Sequence, residues 1–422
     1  MDFLLAHSSV IIVIAATFAF LMSWGIGAND ISNAMGTSVG TKTLTIKQAI
    51  VLAIIFEFLG AYLAGGEVVS TIKDNIIIAD TLETYDLVIG MICALLSAGI
   101  WLVLASYFSW PVSTTHSIIG GIVGFGLVSC GWESINWGMF SGIVGSWIIT
   151  PVIAGIIAFA LFGHISKYIF CRFHPLKHAI KIAPYYVFLT ILTICIVTIQ
   201  KGLKHVQIEL STQESWIVSL VIALICAIIS QIILKKKKFE NTYEAKKHYT
   251  NVEKVFSILM ILTACAMAFA HGSNDVANAI GPLASVTQIL NNYGKEIVDN
   301  SIPSWILPLG AVGMVLGLAT FGYKVMSTVG SGITSLTPSR GFAAQLATAA
   351  TVVLASGTGL PISTTQTLVG AIMGVGLARG IAAINLNLVR NIVISWVITV
   401  PAGAIIAVVF FYLFKGILSV IS

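Results

Sequence analysis

The stretch Gly27-Ala28-Asn29-Asp30-Ile31-Ser32-Asn33-Ala34 lies inside an apolar segment that runs from about Ser8 to Val39. A helix needs about 20 apolar residues to cross the hydrocarbon core of a bilayer. This segment is longer than that, yet its middle carries two Asn, an Asp and several Gly. The pattern returns as Gly272-Ser273-Asn274-Asp275-Val276-Ala277-Asn278-Ala279, with Asp275 standing 245 positions after Asp30. A carboxylate within a hydrophobic span is costly and marks function by default. Two of them in matched glycine- and asparagine-rich settings point to a duplicated functional element.

Composition agrees. The chain is 57% hydrophobic and 9% charged, with a mean hydropathy of +0.97; soluble domains carry about 25% charged residues. The apolar segments are long, not alternating ten-residue stretches, which excludes a β-barrel. The net charge of +5 is no argument for a nucleic-acid partner, because the basic residues sit in short loops between spans. The N-terminal segment lacks a basic leader region and reads as a retained helix. Cys93, Cys130, Cys171, Cys195, Cys226 and Cys265 show neither a CxxC pair nor metal-ligand spacing. They read as packing residues.

Past the first motif, Lys42 and Lys47 flank a loop, and Gln48 to Val69 forms a second span with Glu57 inside it. The loop from Ser70 to Asp86 is acidic. Leu87 to Phe108 and Val112 to Leu127 form an apolar pair broken at Trp110-Pro111-Val112-Ser113-Thr114-Thr115-His116. Asn136 to Phe162 follows, then a basic loop with Lys167, Arg172, Lys177 and Lys181, and two further spans, Pro184 to Ile199 and Trp216 to Leu234. Lys235-Lys236-Lys237-Lys238 opens a charged loop that reaches Lys254. The positive-inside rule puts the Lys42, Arg172 and Lys235 loops in the cytoplasm and the acidic loop outside.

Val255 to Leu290 then holds the second motif, Trp305 to Tyr323 is a span, Phe342 to Ala378 is a pair broken at Leu360-Pro361-Ile362-Ser363-Thr364-Thr365-Gln366, and Asn391 to Phe414 closes the chain. The expected fold is an all-α polytopic membrane protein of about 12 crossing elements. Two repeats, 1–163 and 255–422, flank a linker region, 164–254, with two extra spans. Loop charge starts the first repeat outside and the second inside, so the repeats are inverted, an architecture of secondary transporters.

The Pro-x-Ser-Thr-Thr elements stand 250 positions apart. Proline favours the first turn of a helix, so each triplet is expected to open a half-helix whose unpaired N–H groups and positive dipole end suit an anion. Ser113, Thr114, Thr115, Ser363, Thr364 and Thr365 would add hydroxyl donors around a tetrahedral oxyanion. Asp30 and Asp275 are hard oxygen ligands, and backbone expected to unwind at the nearby glycines would expose carbonyls. That combination suits Na⁺, or a proton on the carboxylate. Asn29, Asn33, Asn274 and Asn278 could complete a cation shell or donate to the anion. Glu57 reads as a cation ligand, a proton carrier or a structural partner. His116 and His271 could titrate near neutral pH but read first as hydrogen-bonding neighbours of the motifs; Arg340 could draw an anion to the cytoplasmic mouth but reads first as a loop charge obeying the positive-inside rule. A channel would need a continuous lined pore, which broken inverted motifs do not suggest. An intramembrane hydrolase using Asp30 with Asp275, or Ser113 with His116, would leave the duplicated hydroxyls without a role.

With these residues in place, the whole chain resembles the inorganic phosphate transporter (PiT) family. The likeness rests on Gly27-Ala28-Asn29-Asp30 with Asn33-Ala34, on His271-Gly272-Ser273-Asn274-Asp275 with Asn278-Ala279-Ile280-Gly281-Pro282, and on the two Pro-x-Ser-Thr-Thr elements. The resemblance implies symport of inorganic phosphate with Na⁺ or H⁺, no bound cofactor and no enzymatic activity. It also implies a homodimer in the bilayer, in the inner membrane of a bacterium. Phosphate would be held by the six hydroxyl residues with Asn33 and Asn278. The cations would be served by Asp30, Asp275, Asn29, Asn274 and Glu57, with Na⁺ on Asp30 and Asp275 if sodium is the coupling ion. Two positions depart from the family pattern: Gln366 stands where His is common, and Gln345 stands where many members have Glu. Both remove a titratable group from the second repeat, which bears on the number and kind of coupled cations. Sulfate, or phosphate carried as a neutral metal complex, is an alternative substrate within the same family.

Overall fold

The computed structural model describes residues 2–78, 81–200, 210–237, 239, 245–293 and 301–421. Asp80 of the acidic loop and Lys238 of the lysine run lie outside the described residues. Helices dominate: α1 (Asp2–Ala6), α2 (Ser8–Gly40), α3 (Ile46–Ala64), α4 (Gly66–Asp74), α5 (Thr84–Tyr107), α6 (Thr114–Cys130), α7 (Trp137–Ile165), α8 (Pro175–Gln200), α9 (Thr212–Lys236), α10 (Ala245–Asn292), α11 (Ile306–Gly332), α12 (Pro338–Gly357), α13 (Thr364–Leu377) and α14 (Leu386–Ile421). Among the described residues, nine of these are long and apolar enough to cross a membrane. The hairpin members α6, α12 and α13 supply the remaining elements of the expected bundle.

Three expectations about local structure change. The glycine-rich motifs do not unwind: α2 runs unbroken through Asp30 and α10 through Asp275. The acidic loop contains a helix, α4, and its last acid, Asp86, is buried in the first turn of α5. The second motif helix begins at Ala245, well before Val255.

The glycines serve packing instead. A Cβ on Gly27 would collide with the carbonyl of Met314, and one on Gly317 with the carbonyl of Trp24, so α2 and α11 meet backbone to backbone. In the same way a Cβ on Gly60 would strike the Phe269 carbonyl and one on Gly272 the Glu57 carbonyl, which joins α3 to α10. Gly120 against Val400 joins α6 to α14, and Gly370 against Pro151 joins α13 to α7. Small residues are the usual means of close helix approach in a bilayer, where no hydrophobic force drives helices together. Each of these contacts pairs an element of the first half with one of the second, so the two halves are interlocked.

The two hairpins break at equivalent places. α5 ends at Tyr107 and α6 starts at Thr114; α12 ends at Gly357 and α13 starts at Thr364. Ser109 and Gly359, 250 positions apart, both hold positive φ, 56° and 77°. Positive φ is natural for Gly but uncommon for Ser. The turn that reverses the first hairpin is therefore made against local preference. Gly317→Val is expected to prise α2 from α11, with a loss of about 1–3 kcal/mol or more, read as a lower melting temperature of the purified protein. Gly142→Ala, at a position with open space around it, should leave it unchanged.

Candidate functional site

The hairpin tips meet at the centre of the bundle. Ser113 and Ser363 cap α6 and α13, their Oγ atoms accepting from the N–H of His116 and of Gln366 at 3.3 Å each. Pro111 and Pro361 precede those caps by two residues and so lie outside the helices, not in their first turns as expected. The serine cap satisfies the third N–H of the helix and sets its start. The N–H groups of the first two residues of each helix have no acceptor within it, and these belong to Thr114, Thr115, Thr364 and Thr365. Thr115 Oγ1 donates to the carbonyl of Ile362 in the opposite tip at 2.9 Å, and Thr365 Oγ1 to the carbonyl of Val112 at 3.3 Å. The two helix starts therefore face each other, and all six hydroxyl residues are buried.

The motif helices embrace these tips from both sides. Thr114 Oγ1 donates to Asp30 Oδ2 at 3.1 Å and Thr364 Oγ1 to Asp275 Oδ2 at 2.8 Å. Asn33 Nδ2 reaches Thr365 Oγ1 at 2.8 Å, and Asn278 Nδ2 reaches Thr115 Oγ1 at 3.2 Å. Each hydroxyl triplet is thus held by the Asp of its own half and the Asn of the other. Asn29 and Asn274 do something different. Their Nδ2 groups donate to the tip carbonyls of Trp110 and Ile362, both at 2.9 Å. Asn274 Oδ1 also accepts from Ser356 Oγ at 3.2 Å, so every polar atom of this amide is engaged within the protein.

His271 is the residue that the sequence undervalued. It is fully buried, and its Nε2 lies 3.0 Å from Asp275 Oδ2 and 3.8 Å from Asp30 Oδ2, while its Nδ1 lies 3.2 Å from Glu57 Oε1. One imidazole thus stands among three carboxylates from α2, α3 and α10. Its spacing of four from Asp275 puts both on one helix face, which was the available signal; the approach of Glu57 from α3 left none. Even with His271 protonated, three ionised carboxylates would leave two negative charges in the bilayer interior, which an uncompensated site does not tolerate.

Hard oxygen donors surround this charge. One ligand atom each of Asp30, His271 and Asp275 fall within 4.8 Å of one another. Asp30 Oδ1, Asn29 Oδ1, Asn33 Oδ1, Asn278 Oδ1 and Glu57 Oε2 are buried without a hydrogen-bond partner. Carboxylate and amide oxygens fit a small hard cation.

The two glutamines stand apart from this cluster. Gln345 Nε2 donates to the Ala34 carbonyl at 2.8 Å and its Oε1 accepts from Thr263 Oγ1 at 3.2 Å, which ties α12 to α2 and α10. Gln366 follows the second triplet as His116 follows the first, and the His116 ring nitrogen Nδ1 lies 3.2 Å from the Trp396 carbonyl. That contact bears out the expectation of a hydrogen-bonded neighbour for His116. Arg340 is remote from the tips, at the start of α12.

Facing helix starts beside a buried cluster of carboxylate and amide oxygens, within a bundle of interlocked membrane-length helices, define a membrane transporter. A model of the phosphate transporter family matches residues 26–407. A Haemophilus influenzae protein that carries a phosphate-permease name is 56% identical over 99% of this chain and 100% of its own length. The chloroplastic inorganic phosphate transporter 2-1 of Arabidopsis thaliana is 41% identical over 95% of this chain and 72% of its own. A solved structure described as the sodium-dependent phosphate transporter superposes with a TM-score of 0.90 at 40% identity, covering 96% of this chain and 99% of that one. The chain belongs to the phosphate transporter family, whose members are transporters and not enzymes.

Removing the imidazole leaves the carboxylates facing one another. His271→Phe is expected to destabilise the protein by about 3–5 kcal/mol, the scale of breaking a buried ion pair, measured by thermal unfolding in sodium-free buffer. Adding Glu57→Gln to that variant should restore part of the loss.

Proposed function

We propose that this protein imports inorganic phosphate by symport with Na⁺, moving both between the two sides of the membrane by alternating access. The observation that carries the proposal is the single hydrogen bond between each helix start and each carboxylate, Thr114 to Asp30 and Thr364 to Asp275. In this reading it would bring an anion site and a cation site into direct contact. An inside-negative potential opposes anion entry by roughly 2.3 kcal/mol per charge per 100 mV, and a cation bound beside the anion offsets it. In this reading Thr114, Thr115, Thr364 and Thr365 hold phosphate through hydroxyls and free N–H groups, with Ser113 and Ser363 shaping the helix starts. Asn33 and Asn278 orient the threonines. Asp30, Asp275 and Glu57 serve the cations, with the free Asn29 oxygen available to them, while Asn274 fixes the opposite tip. His271 links the two aspartates and so connects the two halves of the site.

Sodium is preferred to the proton because several buried carboxylate and amide oxygens have no hydrogen-bond partner, and because the solved relative is described as sodium-dependent. The repeats at 1–163 and 255–422, joined through 164–254, supply two inverted halves that can rock about a fixed centre. We place the protein in a bacterial inner membrane, as a homodimer.

Reconstitution into liposomes tests this. Labelled phosphate should accumulate under an inward Na⁺ gradient and not under an inward H⁺ gradient, and excess sulfate should leave uptake unchanged. Accumulation driven by H⁺ alone would overturn the sodium reading, and inhibition by sulfate the choice of substrate. Asp275→Asn is expected to abolish accumulation while the protein remains in the membrane; wild-type accumulation by that variant would remove Asp275 from coupling. Thr365→Val is expected to raise the phosphate concentration for half-maximal uptake by about tenfold, the effect of about 1.4 kcal/mol.

A further inference from the structure

Two arginines outside the central site converge on one residue. Arg340 Nη1 donates to the carbonyl of Ser335 at 3.0 Å and approaches its Oγ at 3.5 Å. Arg379 Nη1 donates to the same carbonyl at 3.2 Å, to Ser335 Oγ at 3.0 Å and to Thr334 Oγ1 at 3.1 Å. Arg340 lies in the first turn of α12 and Arg379 comes two residues after the end of α13, so the second hairpin carries one guanidinium at each outer end. Arg340 is half-buried and Arg379 is exposed. The neighbouring Gly341 packs near Thr41, beside the Lys42 loop, which puts the pair on the face expected to be cytoplasmic.

Like charges do not gather around a neutral oxygen without a reason. Thr334 and Ser335 come just after α11, and an arginine that donates to carbonyls at a helix end is a familiar cap. Capping accounts for one N–H of each guanidinium; it does not account for two cations on one carbonyl. Neither arginine has a carboxylate within ion-pair distance among the described residues. The charged groups acting on Arg340 are Arg379 and Glu253. Glu253 is already committed, since its two oxygens accept from the Ser339 N–H and hydroxyl at 2.8 Å each. Nε and Nη2 of both arginines make no hydrogen bond among the described residues. Paired guanidinium forks of this kind match the oxygens of a phosphate group, each able to donate two parallel N–H bonds.

We propose that Arg340 and Arg379 form a second anion site on the cytoplasmic face that binds a phosphate group, either free inorganic phosphate or the headgroup of an anionic phospholipid. α13 has 14 residues and leads from the central threonines to Arg379. At 1.5 Å per residue the two sites are about 20 Å apart, so the outer one is distinct. It sits where an anion leaving the hairpin would emerge, and its charge would concentrate phosphate there.

Arginine modification by phenylglyoxal, mapped residue by residue by mass spectrometry on the full-length protein in lipid nanodiscs, tests the site without requiring transport. In nanodiscs of phosphatidylcholine, millimolar inorganic phosphate is expected to slow modification of Arg379 and Arg340 by about fivefold or more relative to chloride, while exposed Arg172 and Arg390 are unaffected. If protection appears only when phosphatidylglycerol is included, the phosphate group belongs to a lipid and the site stands. Equal rates under all conditions, or slowing shared by Arg172 and Arg390, would overturn it. Arg340→Gln should remove protection from Arg379, and Arg379→Gln from Arg340; protection that survives both single variants would show that the residues do not act as a pair. Thr365→Val, which alters the central site alone, should leave the protection intact.

Discussion

The structure depends on one electrostatic constraint: three carboxylates and a single imidazole are buried together at the middle of a membrane protein. Asp30, Glu57 and Asp275 come from three helices, and His271 touches all of them. Such a cluster is stable only when its charge is matched, by protons or by cations. In the proposed symport, the energetic penalty for leaving it unmatched would give a bound cation its leverage over a neighbouring anion. In that proposal stability and coupling are two readings of the same cluster. Among the described residues, the group of Asp30, His271 and Asp275 is the one set of His, Asp and Glu side chains close enough to hold a metal ion.

The hydroxyl tips convert this charge into geometry. Each triplet is fixed by a carboxylate from its own half and an amide from the other. A shift of either half against its partner must alter both sets of bonds together. The reciprocal contacts from Thr115 to Ile362 and from Thr365 to Val112 add a direct link between tips. An occupant held between the tips would feel both halves at once, which suits the alternating access proposed above.

Much of this could be read from residue order alone, because it is local or repeated. The spans follow from apolar length, and the two breaks from Pro with Ser-Thr-Thr. Loop charge makes the inversion of the two repeats an expectation. What could not be read depends on partners distant in sequence. Glycines beside Asn and Asp are compatible with unwound backbone and with close helix approach alike; only the carbonyls of Met314 and Glu57, arriving from α11 and α3, decide for the latter. His271 looked like a bystander because Glu57, 214 positions away, gives no sequence sign of meeting it. Asp86 counted as a loop acid, yet Lys415 from the last helix pairs with it at 2.8 Å and draws it into the protein.

The interlocking of the halves has a consequence for how the chain is made. α2 carries Asp30 into the bilayer early in synthesis, but the helix that covers its glycine face is α11 and the imidazole beside its carboxylate lies on α10. α3 likewise waits for α10 before Glu57 has a partner. During translation, then, about two thirds of the polypeptide must emerge before the first acidic helices find their neighbours. Until then the nascent first half has to keep two acidic side chains out of lipid, at the translocon, in contact with an insertase, or by remaining protonated. Biogenesis, more than the finished fold, is where this architecture is most exposed to failure.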